Sequence, residues 1–480
     1  MTPASTHLNA VRRRTDLSQA ADEVTDLLVV GGGITGVGVA LDAASRGLSV
    51  TLIEAHDLAF GTSRWSSKLV HGGLRYLATG DIATARESAH ERHLLMTVIA
   101  PHLIRPLGQV LPFAPGVSMK QRLAGAVGMG AGDLLRMRAH TPRSVLPAPK
   151  GVTASTARRL VPTLAPRGLR GGMLSFDGQL VDDARLVVTV ARTAAGLGAR
   201  ILTRVRALDV RADGASVEDS LTGERLELRA RSVVNATGVW AGSLDASLTV
   251  RPSRGTHIVL DAADLGHPTA ALTIPHPGSI SRYVFALPQQ HGRVFVGLTD
   301  EDAPGPVPDV PEPTEAEISF LLDSVNRVLD APLHRDQVLG AFAGLRPLVD
   351  SGADATADIS RQHLVATSDA GFVNVLGGKL TTYRRMAEDA VDHAVDVRGL
   401  RAGPSKTSTL RLVDDAPAGT ASALAAVSDA QVAFAVRAEG ALTVDDVLDR
   451  RTRIGLVPAD RERCAPGVAQ LVQQTLAALD

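Results

Sequence analysis

The apolar positions change period along the chain, and each change predicts an element. Leu27–Val30 is apolar at every position and Leu48–Ile53 nearly so. Such runs predict strands buried on both faces of a parallel sheet. Between them GVGVALDAASRG, ending at Gly47, predicts a helix of small residues. Residues 81–100 carry apolar positions at helical spacing (Ile82, Ala85, Ala89, Leu94) and stop before Pro101. Residues 101–150 are apolar but broken by Pro, Gly and Arg. Within them Met119–Arg138 predicts a helix with basic ends around a small-residue apolar middle, suited either to packing or to lying on a membrane surface.

Val181–Gly198 predicts a helix with Asp182 as its N-cap. Strand-like segments follow at Arg200–Val210, Ala215–Asp219 and Arg225–Ala230, and then SVVNATGVW (Ser232–Trp240) returns the chain to the first sheet. Thr256–Leu260 alternates, and Tyr283–Leu287 and Arg293–Leu298 flank His291-Gly292 as a hairpin, predicting a second, mostly antiparallel sheet. Glu312–Leu329 has a helical apolar stripe at Ile318, Leu321, Leu322 and Val325. Gly371–Leu376 is a further strand that runs into a glycine turn and a helix. Residues 399–427 are rich in Pro, Ala, Thr and Ser and read as a linker before a helical tail at 428–480.

Composition narrows the classes. A chain of 480 residues holds two or three domains. A net charge of -1 carries no global nucleic-acid footprint. One cysteine, Cys464, excludes a disulfide within the chain and fits a reducing compartment. The histidines form no HExxH pattern and no calcium loop is present, so no metal site is expected. No run reaches transmembrane length, and residues 1–24, with Arg12–Arg14 and no apolar region after them, read as a disordered basic tail.

The chemistry begins at DLLVVGGGITG (Asp26–Gly36). Gly31, Gly33 and Gly36 supply the G-x-G-x-x-G spacing of a tight turn, a close approach to pyrophosphate and close helix–strand packing. The helix start offers free N–H groups and a positive dipole to the phosphates. Glu54 closes the second strand, where an acid accepts hydrogen bonds from ribose hydroxyls. These features predict a bound dinucleotide and leave NAD and FAD about equally open.

The block GGGITGVGVALDAASRGLSVTLIEAHDLAFGTSRWSSKLVHGGLRYL closely resembles the N-terminus of FAD-dependent glycerol-3-phosphate dehydrogenases, which have the D-amino-acid-oxidase-like flavoprotein fold. VDDARL (Val181–Leu186), NATGVW (Asn235–Trp240), RGTHIVL (Arg254–Leu260), VGLTD (Val296–Asp300), GLRPL (Gly344–Leu348) and GGKLTTYRRMAE (Gly377–Glu388) continue the resemblance in family order. It implies an α/β fold with an α+β second domain. A Rossmann-type FAD-binding domain would come from residues 25–80, 151–249 and 346–398. A substrate-binding, membrane-facing domain with an antiparallel sheet would come from 81–150 and 250–345, and a short helical segment would close the chain.

The same resemblance implies FAD as cofactor, held by Gly31, Gly33, Ile34, Thr35, Gly36, Glu54, Thr62, Ser63, Ser66, Ser67, Lys68, Leu69, Gly73, Val205, Ala236, Thr237, Gly238, Gly344, Gly378, Lys379, Leu380 and Thr381. Arg75, Tyr76, Arg361 and Lys379 would bind glycerol 3-phosphate. His257 would be the general base, with a pKa near the operating pH, and Arg346 would polarise the substrate oxygen. The reaction implied is hydride transfer to flavin N5, giving dihydroxyacetone phosphate, with a membrane quinone as acceptor. Oxygen as acceptor and an amine or amino-acid substrate are the alternatives. Arg361 is followed by Gln362 where the family has an acid, and the C-terminal domain reads as shortened. A cytoplasmic protein peripheral on the inner face of the cell membrane, and a homodimer, are further expectations.

Overall fold

The computed structural model describes residues 3–73, 76, 80–276, 278–279, 282–349, 362–417 and 427–479. Its first sheet has the strand order His363–Thr367, Val373–Gly377, Arg225–Asn235, Val24–Val30, Val50–Glu54, Arg200–Thr203. The inner pairings are parallel and His363–Thr367 is antiparallel. The unbroken apolar run at Val24–Val30 now has its reason. Leu27 and Val29 face the core formed with helices Ile34–Ser45, Asp183–Gly196 and Tyr383–Arg398. Leu28 and Val30 face the opposite core, formed with the meander Val205–Arg211, Gly214–Asp219 and helix Ala10–Asp22. Arg225–Ala230 and the strand after it are one continuous element, Arg225–Asn235.

The second sheet has ten strands. Its centre is Val250–Asp261, which pairs antiparallel with Gly340–Val349 from Val250↔Val349 to Val259↔Gly340, and with Arg293–Gly297. Ile104–Pro112 pairs with Gly172–Leu180, and Leu69–Val70 adds to the far edge of Gly172–Leu180. The helix Glu315–Asn326 buries Ile318, Leu321, Leu322 and Val325 against Ile258, Leu260 and Val296. Strands Lys150–Val152 and Gly172–Leu180, and all of Gly340–Val349, lie in this sheet, although the sequence pattern assigned 151–249 and 346–398 to the first unit. The reason is pairing: Gly172–Leu180 finds its partner in Ile104–Pro112, a choice that local periodicity does not encode.

Residues 5–24 of the expected tail are not loose. Ala10–Asp22 is a helix capped by Asn9, whose side chain accepts from the Arg12 N–H at 2.9 Å. Leu17 and Ala20 are buried, and Arg13 makes a buried ion pair with Asp219 at 2.6 Å. Composition hid this because a few residues, Leu8, Leu17, Ala20, Arg12 and Arg13 among them, do the anchoring. Much of the supposed linker is also docked: Leu400 and Leu412 enter the first core, and Asp415 pairs with Arg192 at 2.7 Å. The helices Asp429–Ala438, Val444–Arg450 and Pro458–Ala477 share a small core of their own.

Candidate active site

Both sheets line one cavity of about 880 Å³. At its nucleotide end, strand Val24–Val30 stops at Gly31, whose φ of +113° is a conformation that L side chains rarely adopt. A Cβ on Gly36 would lie 1.9 Å from the Gly31 carbonyl oxygen, so the helix Ile34–Ser45 approaches the strand at backbone distance. Gly33, Ile34 and Thr35 present that helix start to the cavity, and the Ile34 N–H donates to Ser63 Oγ at 2.9 Å. Glu54 accepts from the Gly32 N–H at 2.6 Å and the His56 N–H at 2.8 Å, one on each carboxylate oxygen. Each oxygen keeps a lone pair for a ribose hydroxyl. Burial pushes the Glu54 carboxyl above its usual range, against the two N–H donors. Thr62, Val205, Ala236, Thr237 and Gly238 complete this end.

At the other end the cavity is lined by Ser66, Ser67, Leu69, Tyr76, His257, Gly344, Arg346, Gly378, Lys379, Leu380 and Thr381. His257 is fully buried and stacks on Phe342, with ring centroids 4.9 Å apart. Its Nε2 lies 2.9 Å from Ser67 Oγ. Burial first, then the Lys68 and Arg346 cations, push its pKa down to about 3. The ring is therefore neutral at neutral pH, and its affinity for a proton is far below the near-neutral value expected from its residue type. Arg346 donates to Ser253 Oγ at 3.0 Å, Asp300 Oδ1 at 3.1 Å and the Thr299 carbonyl at 3.1 Å. Lys379 donates to Ser88 Oγ, and its Nζ lies 4.1 Å from the Tyr76 ring centroid.

Three expected cofactor residues do not line the cavity: Gly36, Gly73 and Lys68. Gly36 serves the strand–helix approach just described. Lys68 turns inward, its Nζ 2.6 Å from Asp183 Oδ2 and 2.9 Å from the Arg64 carbonyl. Arg75 and Arg361 lie outside the described residues. Sequence reasoning missed Trp65, Asp300 and the inner face of helix Met119–Arg138, where Ala124, Gly125, Gly128 and Met129 line the cavity. Asp300 stood inside the VGLTD motif and Trp65 inside TSRWSSK, but neither motif by itself says which side chain faces inward.

The residues fit a flavin dinucleotide. A Cβ at Gly31 or Gly36 would meet backbone, the cavity runs without interruption from Gly31 to Lys379, and three buried polar atoms of lining residues, His257 Nδ1, Trp65 Nε1 and Thr273 Oγ1, have no hydrogen-bond partner among the described residues. The family model for FAD-dependent oxidoreductases matches residues 26–384, and that for the C-terminal domain of alpha-glycerophosphate oxidase matches 377–478. Glycerol-3-phosphate dehydrogenase 1 of Mycobacterium bovis is 51% identical, over 96% of this chain and 97% of its own. The chain belongs to the FAD-dependent glycerol-3-phosphate dehydrogenase family. Glycerol-3-phosphate dehydrogenase 2 of the same organism is 37% identical, over 98% of this chain and 88% of its own.

Among solved structures, the glycerol-3-phosphate dehydrogenase of Bacillus halodurans, complexed with FAD, superposes with a TM-score of 0.72 at 23% identity, covering 98% of this chain and 97% of that one. The FAD-bound L-alpha-glycerophosphate oxidase of Mycoplasma pneumoniae gives 0.62 at 19% identity, covering 82% and 99%. These two share the fold. FAD is the cofactor of this family, and the C-terminal domain expected to be shortened is matched as a domain in its own right.

Proposed function

We propose that this protein oxidises sn-glycerol 3-phosphate to dihydroxyacetone phosphate and that the electrons leave to a membrane quinone. The observation that supports this most is the convergence at one end of the cavity of a neutral imidazole with two cationic side chains, His257 with Arg346 and Lys379. Bound FAD supplies the hydride acceptor and the two-electron relay. His257, its Nε2 oriented by Ser67, takes the hydroxyl proton as the carbinol hydrogen leaves with its electron pair. A base held at about 3 in the free protein gains proton affinity when a phosphate dianion enters beside it. Arg346, held by Ser253, Asp300 and Thr299, stabilises charge on the substrate oxygen, and Lys379 supplies a point charge to the phosphate. Arg75 and Arg361 are further phosphate candidates from the motif alone.

The quinone reading draws on the helix Met119–Arg138. Met119, Leu123, Leu134 and Met137 are exposed along one stripe, flanked by Lys120 and Arg138, while the opposite side lines the cavity, with exposed Val127 at its mouth. No helix among the described residues is long and apolar enough to cross a membrane. We read this stripe as a peripheral attachment to the inner face of the membrane. Anaerobic addition of glycerol 3-phosphate to the yellow holoenzyme tests the reductive half: bleaching is expected, and persistent oxidised flavin refutes it. Stoichiometric peroxide in air with no quinone reduction would replace the quinone by oxygen, and bleaching by amines alone would replace the substrate. Flotation with anionic liposomes tests the stripe, with Leu123→Ser/Leu134→Ser expected to lose binding.

A further inference from the structure

The segment that carries Trp65, Ser66 and Ser67 to the cavity rests on a buried layer of charge. Asp183 Oδ2 accepts from the Ser66 N–H at 2.9 Å, Ser66 Oγ at 2.8 Å and Lys68 Nζ at 2.6 Å. Lys68 also donates to the carbonyls of Arg64 at 2.9 Å and Ser66 at 3.2 Å. Beside this pair stands Asp182, which caps helix Asp183–Gly196 by accepting from the Ala184 N–H at 2.9 Å. The fourth member comes from the far end of the chain. Arg453 Nε lies 3.6 Å from Asp182 Oδ1, its Nη2 donates to the Arg64 carbonyl, and its guanidinium lies 5.4 Å from the Trp65 ring centroid. Its side chain is 9% exposed, as is that of Asp182. Two carboxyl groups and two cations thus meet in the interior, behind the segment whose Ser67 hydroxyl meets His257, and burial pushes Asp182 up to about 7.

Arg453 is one of several contacts that attach the C-terminal segment. Asp57 pairs with Arg450 at 2.6 Å and with Arg451 at 2.9 Å, Arg204 pairs with Asp446 at 2.7 Å, and Arg185 pairs with Glu439. These contacts clamp the segment to Asp57, Arg204 and the first turn of helix Asp183–Gly196. Arg453 reaches the other end, using a backbone φ of +64° that turns the side chain out of the helix that precedes it. A non-glycine residue in the left-handed region marks a contact that the surroundings over-determine.

We propose that Arg453 is a positioning residue for the catalytic end of the cavity: through the Arg64 carbonyl, Trp65 and Asp182 it fixes the Arg64–Lys68 segment so that Ser67 holds His257. This rests on the reading of His257 as the base. The C-terminal segment is then part of the active-site scaffold. A misplaced hydroxyl at Ser67 removes the hydrogen bond that aligns the stacked imidazole, which affects the chemical step more than substrate capture.

The test uses the holoenzyme of Arg453→Met, which keeps the aliphatic stem and removes charge and donors. The expected result is a kcat lowered roughly ten-fold, a KM for glycerol 3-phosphate within about two-fold, near-normal FAD content, and a changed visible circular dichroism of the oxidised, substrate-free flavin. Asp182→Asn, which keeps a competent N-cap, is the second variant and should show the same pattern more weakly. Unchanged dichroism and kcat in both variants would overturn the proposal, as would a loss of activity wholly accounted for by lost FAD. If Arg453→Met does not fold, Asp182→Asn decides alone. The dichroism needs no substrate, so an effect there with a wild type that glycerol 3-phosphate fails to bleach would retain Arg453 as a positioning residue and discard the substrate.

Discussion

His257→Gln should flatten the acid limb of the protein's stability curve. The imidazole has an ordinary pKa of 6.5 and is held at about 3 in the folded protein, chiefly by burial. Between those values the unfolded chain binds a proton that the folded chain does not. Stability therefore falls as pH falls through that window, and His257 contributes no slope above it. At about 1.4 kcal/mol per decade the full interval is worth about 5 kcal/mol, of which roughly 3 kcal/mol lies between pH 7 and pH 4. Glutamine keeps a polar group beside Ser67 and cannot titrate. The assay is urea unfolding from pH 4 to 8 at fixed excess FAD, comparing midpoints at constant slope because a two-sheet protein of this size need not be two-state. The wild type should lose roughly 3 kcal/mol more than the variant on going from pH 7 to 4. Parallel curves would refute the buried neutral imidazole and, with it, the account of why the free protein carries an uncharged base.

Lys68→Met should destabilise by about 3–5 kcal/mol, because it leaves Asp183 charged and buried without its partner; adding Asp183→Asn should recover much of that in thermal denaturation, and a double variant no better than the single would contradict the pairing. Gly36→Ala should yield protein purified without flavin absorbance, since the new Cβ would meet the Gly31 carbonyl at 1.9 Å, whereas Gly130→Ala, with open space around it in helix Met119–Arg138, should retain flavin and gain about 1 kcal/mol. Arg346→Ala should lower kcat/KM for glycerol 3-phosphate by roughly 10²-fold or more, with kcat carrying most of the loss; a pure KM effect would move Arg346 from the reacting oxygen to the phosphate.

The nucleotide end was legible residue by residue because its logic is local. Gly31 takes a positive φ and Gly36 packs on the Gly31 carbonyl five positions before it, and Glu54 closes the next strand. The hairpin at His291-Gly292 and the helix from Met119 to Arg138 were likewise readable from turn chemistry and spacing. The N-terminal helix and the docked residues after 399 were not, because a few buried contacts, Leu17 and Ala20 in one case and Leu400 and Leu412 in the other, outweigh polar composition. Sheet membership of Gly172–Leu180 was not legible either, since it depends on a partner strand at 104–112.

Sequence alone therefore determined the dinucleotide turn, the alternation of strands and helices, and the set of residue types brought to the cavity. Tertiary structure decided what state those residues are in. His257 has a depressed proton affinity because the fold buries it beside two cations, Lys68 and Arg346, from distant segments of chain, and Lys68 serves Asp183, 115 positions away, in place of the cavity. The contact of Arg453 with the Arg64 carbonyl spans 389 positions. Backbone geometry follows from neighbours in sequence, whereas charge and burial follow from neighbours in space.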